Sequence, residues 1–492
     1  MNPPVLLFDF GGVLVDLDRD RVLRAFARLG MDIAPLLGTF KQAGVLSQLE
    51  SGKIDVPTFC RQLRELTHQP DAADQDIVAA WRSYLATVPP ERLEMILRIR
   101  QHYAVNLLSN TNIVHWQMAE DTLFTYNGLG VSDFFDHAFL SFQLGAEKPA
   151  PEVFEKVAEG LRQYFAYNIL LDPNEVNSAL YAVGAKHRVR RAASPVPAMK
   201  AVKNEAEIAG YHAAMLRDGV AMVRFLSWLK PAVAAGGVTE VGIARKLEEL
   251  RASQPLFRDI SFDTIAGYEA HGAIVHYEAD DTTDVELQPH GLVLIDSGAQ
   301  YADGTTDITR TVALGAVTDE QRRVYTLVLK GHLQLQNLKF PDGAAGTQLD
   351  APARMAMWRE GMNFLHGTGH GVGSYLNVHE GPHQIRMEWK PAPLHAGMTV
   401  TDEPGLYLAG RFGVRTENTL LITPYMETEF GRFLQFEPLT LSPIDTAPII
   451  VEMLSADERQ WLNDYHAMVL EKLSPLLADD EKAWLRDACK PI

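Results

Sequence analysis

Apolar runs and alternating positions divide the chain into two stretches with different rhythms. Val5-Leu6-Leu7-Phe8 is a continuous apolar run that ends at Asp9 and is followed by Phe10-Gly11-Gly12. Such a run marks a strand buried on both faces, and the glycine turn after it is where an open parallel sheet places its chemistry. From about 17 to 100 the pattern is mostly helical, with Trp81, Tyr84 and Leu85 as expected core. A second apolar run, Val105 to Leu108, ends in Ser109-Asn110-Thr111-Asn112, and Glu147-Lys148-Pro149 precedes a helix carrying Val153, Phe154 and Val157.

From about 165 the rhythm changes. Ser194-Pro195-Val196-Pro197 reads as an extended linker, and Asn204 with Glu207 forms a capping-box-like helix start. Ile208, Met215, Met222 and Leu229 then recur every seven residues along one face, a core stripe expected to end at Pro231. A shorter amphipathic helix is expected from Gly237-Val238-Thr239-Glu240. Gly291 to Ile295 is a buried strand delivering Asp296, and Thr305 to Thr311 alternates as a second strand that carries Asp307. In Met398 to Pro404 period-2 alternation puts Asp402 and Glu403 on opposite faces, whereas Arg415 and Glu417 share one.

Composition excludes several classes. The 492 residues are 47% hydrophobic and 22% charged, enough for two or three domains with their own cores and unlike a disordered or fibrous chain. A formal charge of −18 with no basic patch argues against nucleic acid or an anionic membrane as partner. Two cysteines, Cys60 and Cys489, suit a reducing compartment. MNPPVLLFDFGG lacks a basic region and the long apolar run of a signal peptide, so a cytoplasmic location is expected.

The candidate chemistry lies in two places. Asp9, Ser109 and Lys148 at successive strand ends supply a nucleophile, a hydroxyl donor and a cation, a set suited to phosphate. Further on, His366 and His370 stand four residues apart in the glycine-rich HGTGHGVG, flanked by Asp296 and Asp307 before and Glu403 and Glu417 after. The 11-residue separation of the aspartates suits a hairpin that brings them together, where unpaired carboxylates would repel and protonate. Burying them side by side calls for a cation. Four carboxylates and one histidine form a hard ligand set that favours a pair of divalent ions, Mn²⁺ before Zn²⁺ or Co²⁺. Any one of these carboxylates alone reads more simply as a strand-end salt-bridge residue; five matched positions do not.

FDFGGVLVD, LLSNTN and GAEKPAPEVF resemble the first three motifs of the haloacid dehalogenase superfamily, in its sugar-phosphate phosphatase-like members with a small helical cap. The resemblance implies an α/β, Rossmann-like domain over 1–165, with Asp9 as phosphorylated nucleophile and Ser109 and Lys148 as phosphate ligands. Gly11 stands where many members carry a second aspartate. Asp172, in NILLDPNEVN, is the candidate for the fourth, Mg²⁺-binding motif, but Pro173 replaces its acidic neighbour. A Mg²⁺ site short of one carboxylate binds weakly, so a folded domain with crippled catalysis is expected.

The motifs IVHY, LIDSGAQYADGTTDITRT, HGTGHGVGSYLNVHEGP, TDEPGLY and VRTENTL resemble the pita-bread metallopeptidases, most closely the cytosolic three-domain Xaa-Pro aminopeptidases; FEPLTLSPIDTAPI and DERQWLNDYH extend the likeness to the tail. That implies an α+β pita-bread catalytic domain over 196–492, preceded at 166–195 by a remnant of a creatinase-like middle domain, with the family's first domain absent. By resemblance Asp296 chelates one metal, Asp307 and Glu417 bridge both, and His370 and Glu403 complete the second. Glu403 would also accept a proton from water, and His276 and His379 would line the substrate pocket and steady the intermediate. His366 would be a pocket residue and Arg415 would hydrogen-bond beside Glu417, while the glycines leave room for substrate. His271 and His383, without family counterparts, are expected to be ordinary surface or loop histidines. The implied substrate is a peptide with proline second, and a homodimer through the catalytic domain is expected. The alternatives are a phosphatase acting through Asp9, or a pita-bread module that binds without catalysis.

Overall fold

A computed structural model describes residues 5–38, 42–164, 169–186 and 189–492, and the chain forms two compact units, Met1–Ser194 and Pro195–Ile492. The boundary expected at 165/166 falls on residues outside the described ones.

In the first unit the apolar runs are the strands Val5–Phe8 and Ala104–Ser109, which pair in parallel, with His137–Leu140 parallel on the far side of Ala104–Ser109. Every residue of Ala104–Ser109 is buried, as its unbroken hydrophobicity requires of a central parallel strand. Five helices, from Arg19–Arg28 to Pro90–Ile99, fill the segment between the first two strands. Trp81, fully buried, centres their core against Phe26, Phe59 and His115, while Tyr84 stacks on it half-buried. One expectation fails here. Ile169–Leu171, the strand leading to Asp172, pairs only with Val189–Arg191 among the described residues and does not join the three-stranded sheet.

The second unit opens with the helix Val196–Ala201 and the helix Glu205–Ala235, whose start is the capping box of Asn204 and Glu207. Met215, Met222 and Leu229 are buried along it as the sevenfold repeat requires. Pro231 does not end this helix, contrary to expectation; it runs one further turn to Gly236 at φ 87°. A proline removes one amide and crowds one carbonyl, and within a turn of the terminus that cost is small beside the packing of Leu229 and Val233. Thr239 caps the next helix, Glu240–Ala252.

The strands Leu292–Ser297 and Ile308–Ala313 pair antiparallel with Asp296 opposite Thr309, and Ile265–Tyr268 adds to the other edge of Leu292–Ser297. Thr399–Asp402 pairs with Asn418–Thr428, Asp402 opposite Asn418. The helices Asp319–Gln336 and Gly346–Trp358 and the tail helix Ala456–Leu473 share a large apolar cluster with Leu292 and Ala313 of the first sheet, while Leu335, Leu349 and Ala353 pack with Val400, Leu420 and Ile422 of the second. Among the described residues no helix is long and apolar enough to cross a membrane.

Candidate metal centre and substrate cavity

Asp296 lies one residue from the end of the buried strand Leu292–Ser297, Asp307 immediately precedes the strand paired with it, Glu403 follows the strand Thr399–Asp402, and Glu417 stands between the strands Phe412–Arg415 and Asn418–Thr428. The alternation holds: Asp402 turns away into the interior, 3.1 Å from His332 Nδ1, while Glu403 faces the other way. His370 sits in the short strand Gly369–Gly371. All five candidate ligands, with His276, His366, His379 and Arg415, line one cavity of about 440 Å³. Ligand atoms of Asp307, His370 and Glu417 lie within 4.8 Å of one another.

The glycines around His370 have a different cause from the one expected. A Cβ on Gly369 would stand 1.9 Å from the Thr401 carbonyl oxygen, and one on Gly371 2.1 Å from that of Glu380. These two permit close strand approach, while Gly367, where an added Cβ would meet nothing nearer than 3.6 Å, lines the cavity.

Hydrogen bonds orient the two histidines differently. His370 Nδ1 lies 2.9 Å from the Gly371 carbonyl, which can only accept, so Nδ1 carries the proton and Nε2 faces Asp307 Oδ2 at 3.4 Å and Glu403 Oε1 at 3.5 Å. His366 Nδ1 likewise donates to the Gly367 carbonyl, leaving Nε2 to accept from the Tyr407 hydroxyl at 2.8 Å. Tyr407 in turn accepts from Arg415 Nη1 at 2.6 Å. Burial, with Arg415 nearby, drives the His366 pKa down to about 3 and fixes this ring as neutral. Tyr407 was overlooked in the sequence, although it stands inside the TDEPGLY motif.

The carboxylates are poorly compensated. Burial raises the pKa of Asp307, Glu403 and Glu417, Glu403 to about 7, and for Glu417 the charges of Asp307, Asp296 and Glu403 push the same way. Arg415 hydrogen-bonds within the site beside Glu417: its Nη2 pairs with Asp296 Oδ2 at 2.6 Å and its Nε donates at 3.2 Å to Thr309 Oγ1, which bonds Glu417. The other oxygen of Asp296 is buried with no partner. At His370 burial lowers the pKa, but the hydrogen bond to Asp307 and the Glu403 and Asp307 charges outweigh it and hold it at about 9. Three buried carboxylates and the partly buried Glu403, one guanidinium, an orphaned oxygen and a histidine nitrogen aimed among them fit hard divalent cations. Around them, His379 packs edge-on against His370 with ring centres 4.2 Å apart, its pKa pushed down to about 4 by burial and by His370.

Of the two histidines expected at the surface, His383 is not there, while His271 is partly exposed. His383 is buried, its Nε2 2.7 Å from the Thr399 carbonyl, and His271 is held by the buried Glu240 at 2.9 Å. His271 braces the cavity wall through Glu240, which also accepts from the hydroxyl of Tyr277, a lining residue.

In the first unit Asp9 and Lys148 pair at 2.7 Å and line a separate cavity of about 400 Å³. Ser109 is buried just below it with its hydroxyl unpartnered, and does not line it. Asp172 does not reach it either: its two oxygens accept the backbone amides of Asn174 and Ser194, capping its own loop.

Residues 209–424 match the family model of metallopeptidase family M24, and residues 432–492 match the C-terminal region of the same peptidases. A probable Xaa-Pro aminopeptidase P of Laccaria bicolor is 44% identical over 61% of this chain and 48% of its own. Xaa-Pro aminopeptidase 1 of Dictyostelium discoideum is 41% identical over 70% of this chain and 56% of its own. The chain thus spans about half the length of these relatives. Among solved structures, the X-prolyl aminopeptidase of Caenorhabditis elegans, described as a cytosolic enzyme with a di-nuclear active site, superposes with a TM-score of 0.67 at 36% identity, over 73% of this chain and 59% of its own. An Xaa-Pro dipeptidase from Bacillus anthracis gives 0.51 at 26% identity, over 62% and 82%. The unit Pro195–Ile492 belongs to metallopeptidase family M24 and has its pita-bread catalytic fold.

Proposed function

We propose that the chain is a dinuclear-metal aminopeptidase that releases the first residue from peptides with proline second. The observation that carries this reading is the convergence of Asp296, Asp307, His370, Glu403 and Glu417 on one wall of the 440 Å³ cavity. In this reading Asp296 holds one cation, Asp307 and Glu417 both, and His370 and Glu403 the other, with Mn²⁺ favoured over Zn²⁺ or Co²⁺ by the oxygen-rich set. When bound, such a pair supplies an activated water and a Lewis acid at the scissile carbonyl.

The chain's own groups do the rest. Glu403, whose carboxylate lines the cavity, is the group placed to take a proton from water. His379 and His276 face the cavity and can hydrogen-bond the substrate carbonyl. The Arg415–Tyr407–His366 chain keeps His366 neutral beside them. An Xaa-Pro bond has no amide N–H, so the proline is recognised by shape, for which Phe262, Ile265 and Val275 offer an apolar wall. We further assign a cytoplasmic location and a homodimer through the catalytic domain, following the same resemblance.

The test is incubation of purified protein with Mn²⁺ and an Xaa-Pro-Yaa peptide, beside a chelated sample and Asp296→Asn. Release should need metal and fall by about 10²-fold or more in the variant, about 3 kcal/mol of transition-state stabilisation. No release with any divalent ion sinks the proposal, and equal release in all three samples marks a contaminant. If the unit is instead a module that binds without catalysis, metal uptake persists without release.

For the first unit the Asp9–Lys148 pair in its own cavity favours a second reading, an incomplete haloacid dehalogenase-like domain over 1–165 followed at 166–195 by a creatinase-like remnant. With Asp172 engaged elsewhere, Mg²⁺-dependent hydrolysis of a generic phosphate ester should be absent or very weak. Robust turnover that Asp9→Asn abolishes would establish a phosphatase instead.

A further inference from the structure

Arg310 is 2% exposed, yet no carboxylate among the described residues pairs with it. A buried cation without a counter-ion is costly unless every donor is used. Here every donor is. Nη1 donates to the carbonyls of Glu417 at 2.6 Å and Thr309 at 2.9 Å. Nη2 donates to Asn418 Oδ1, the Ser442 carbonyl and the Tyr465 hydroxyl, at 2.8 to 2.9 Å, and Nε to the Pro443 carbonyl at 3.1 Å. Its chain neighbour Thr309 bonds the Glu417 carboxylate itself, Oγ1 to Oε2 at 2.8 Å. Three of these acceptors, on Ser442, Pro443 and Tyr465, lie in the matched C-terminal region, 432–492. The guanidinium therefore ties that region to the backbone of a candidate bridging ligand.

We propose that Arg310 is a positioning residue through which the C-terminal region sets the placement of Glu417, and so the geometry of the metal pair. This rests on the dinuclear reading given above. The alternative is a purely structural staple that holds the tail to the sheet, which would change stability but leave the metal site alone. Lysine at 310 keeps the charge but offers three donors from one point, and cannot span acceptors arranged around a planar fork. Tyr465→Phe removes one of the six bonds and leaves the charge in place.

The test is Co²⁺ titration of wild type, Arg310→Lys and Tyr465→Phe, following uptake by equilibrium dialysis and site geometry by the visible absorption of bound Co²⁺, with kinetics on an Xaa-Pro-Yaa peptide alongside. Arg310→Lys should weaken the second Co²⁺ by about tenfold or more, alter the spectrum, and lower kcat with KM within about twofold. Tyr465→Phe should shift affinity and spectrum in the same direction, by about threefold in affinity. Wild-type affinity and spectrum in both variants, whatever their melting temperatures, overturn the proposal. If Arg310→Lys does not fold, a wild-type spectrum and affinity in Tyr465→Phe overturn it alone. Wild-type protein that takes up no Co²⁺ overturns the dinuclear reading itself, and the coupling with it.

Discussion

Glu417→Gln is expected to lower kcat/KM on an Xaa-Pro peptide by about 10³-fold or more, about 4 kcal/mol, while making the metal-free protein no less stable. Glu417 is 1% exposed and no cation among the described residues pairs with it; the Thr309 hydroxyl bonds it. Burial and the charges of Asp307, Asp296 and Glu403 all oppose its ionisation. Glutamine keeps the shape and the acceptor for Thr309 but removes the buried charge, so the chelated variant should melt at or above the chelated wild type. It loses the second anionic oxygen that could serve two cations, so activity and metal stoichiometry should fall together. Stability set aside for function at a site of this kind is a general pattern. Thermal melting in chelator, metal analysis and steady-state kinetics check the three parts. Near-wild-type kcat/KM in Glu417→Gln would remove this residue from the metal site.

The chelated protein should also lose stability as pH rises from about 6.5 to about 9, and Mn²⁺ should reverse that trend. His370 has its folded pKa raised to about 9, so its stabilisation is complete below the unfolded value of 6.5 and is lost as pH rises through 9. Glu403, raised from 4.5 to about 7, has the same sign in a lower window. His366, His379, His466 and His115 are depressed by burial to between about 3 and about 4, so they favour the folded state increasingly as pH rises to 6.5. Below 6.5 the two sets oppose each other; above it His370, worth about 3 kcal/mol, is joined by Glu50, whose pKa burial raises to about 8 with the same sign, so both contribute to the loss. Cations compete with the proton on His370, so metal affinity should rise over the same range. Melting temperatures between pH 6.5 and 9, with chelator and with Mn²⁺, decide the matter; a flat chelated profile would show that His370 carries no extra proton.

Sequence by itself determined what depends on local pattern. Apolar runs placed the strands Val5–Phe8, Ala104–Ser109 and Leu292–Ser297; the last two are buried throughout, as their apolar runs require, whereas Val5–Phe8 lies at the edge of its sheet among the described residues with Leu7 exposed. Period-2 alternation separated Glu403 from Asp402, and spacing brought Asp296 and Asp307 to one antiparallel pair. The capping box and the sevenfold stripe of the long helix were equally legible, since each is set within a few residues.

Tertiary structure decided what depends on distant partners. Which face His366 and His370 present follows from Tyr407, Asp307 and Glu403 on other strands, and the glycines beside His370 answer to carbonyls at Thr401 and Glu380. Asp172 looked like a site residue because an apolar run precedes it, yet its strand pairs away from the sheet bearing Asp9. The burial of His383 and the reach of Arg310 from the sheet to Tyr465 had no local signature at all, since their partners lie 16 and 155 residues away. Side-chain chemistry and strand direction are written in short windows; the partners that orient a side chain are supplied by chain segments that only folding brings together.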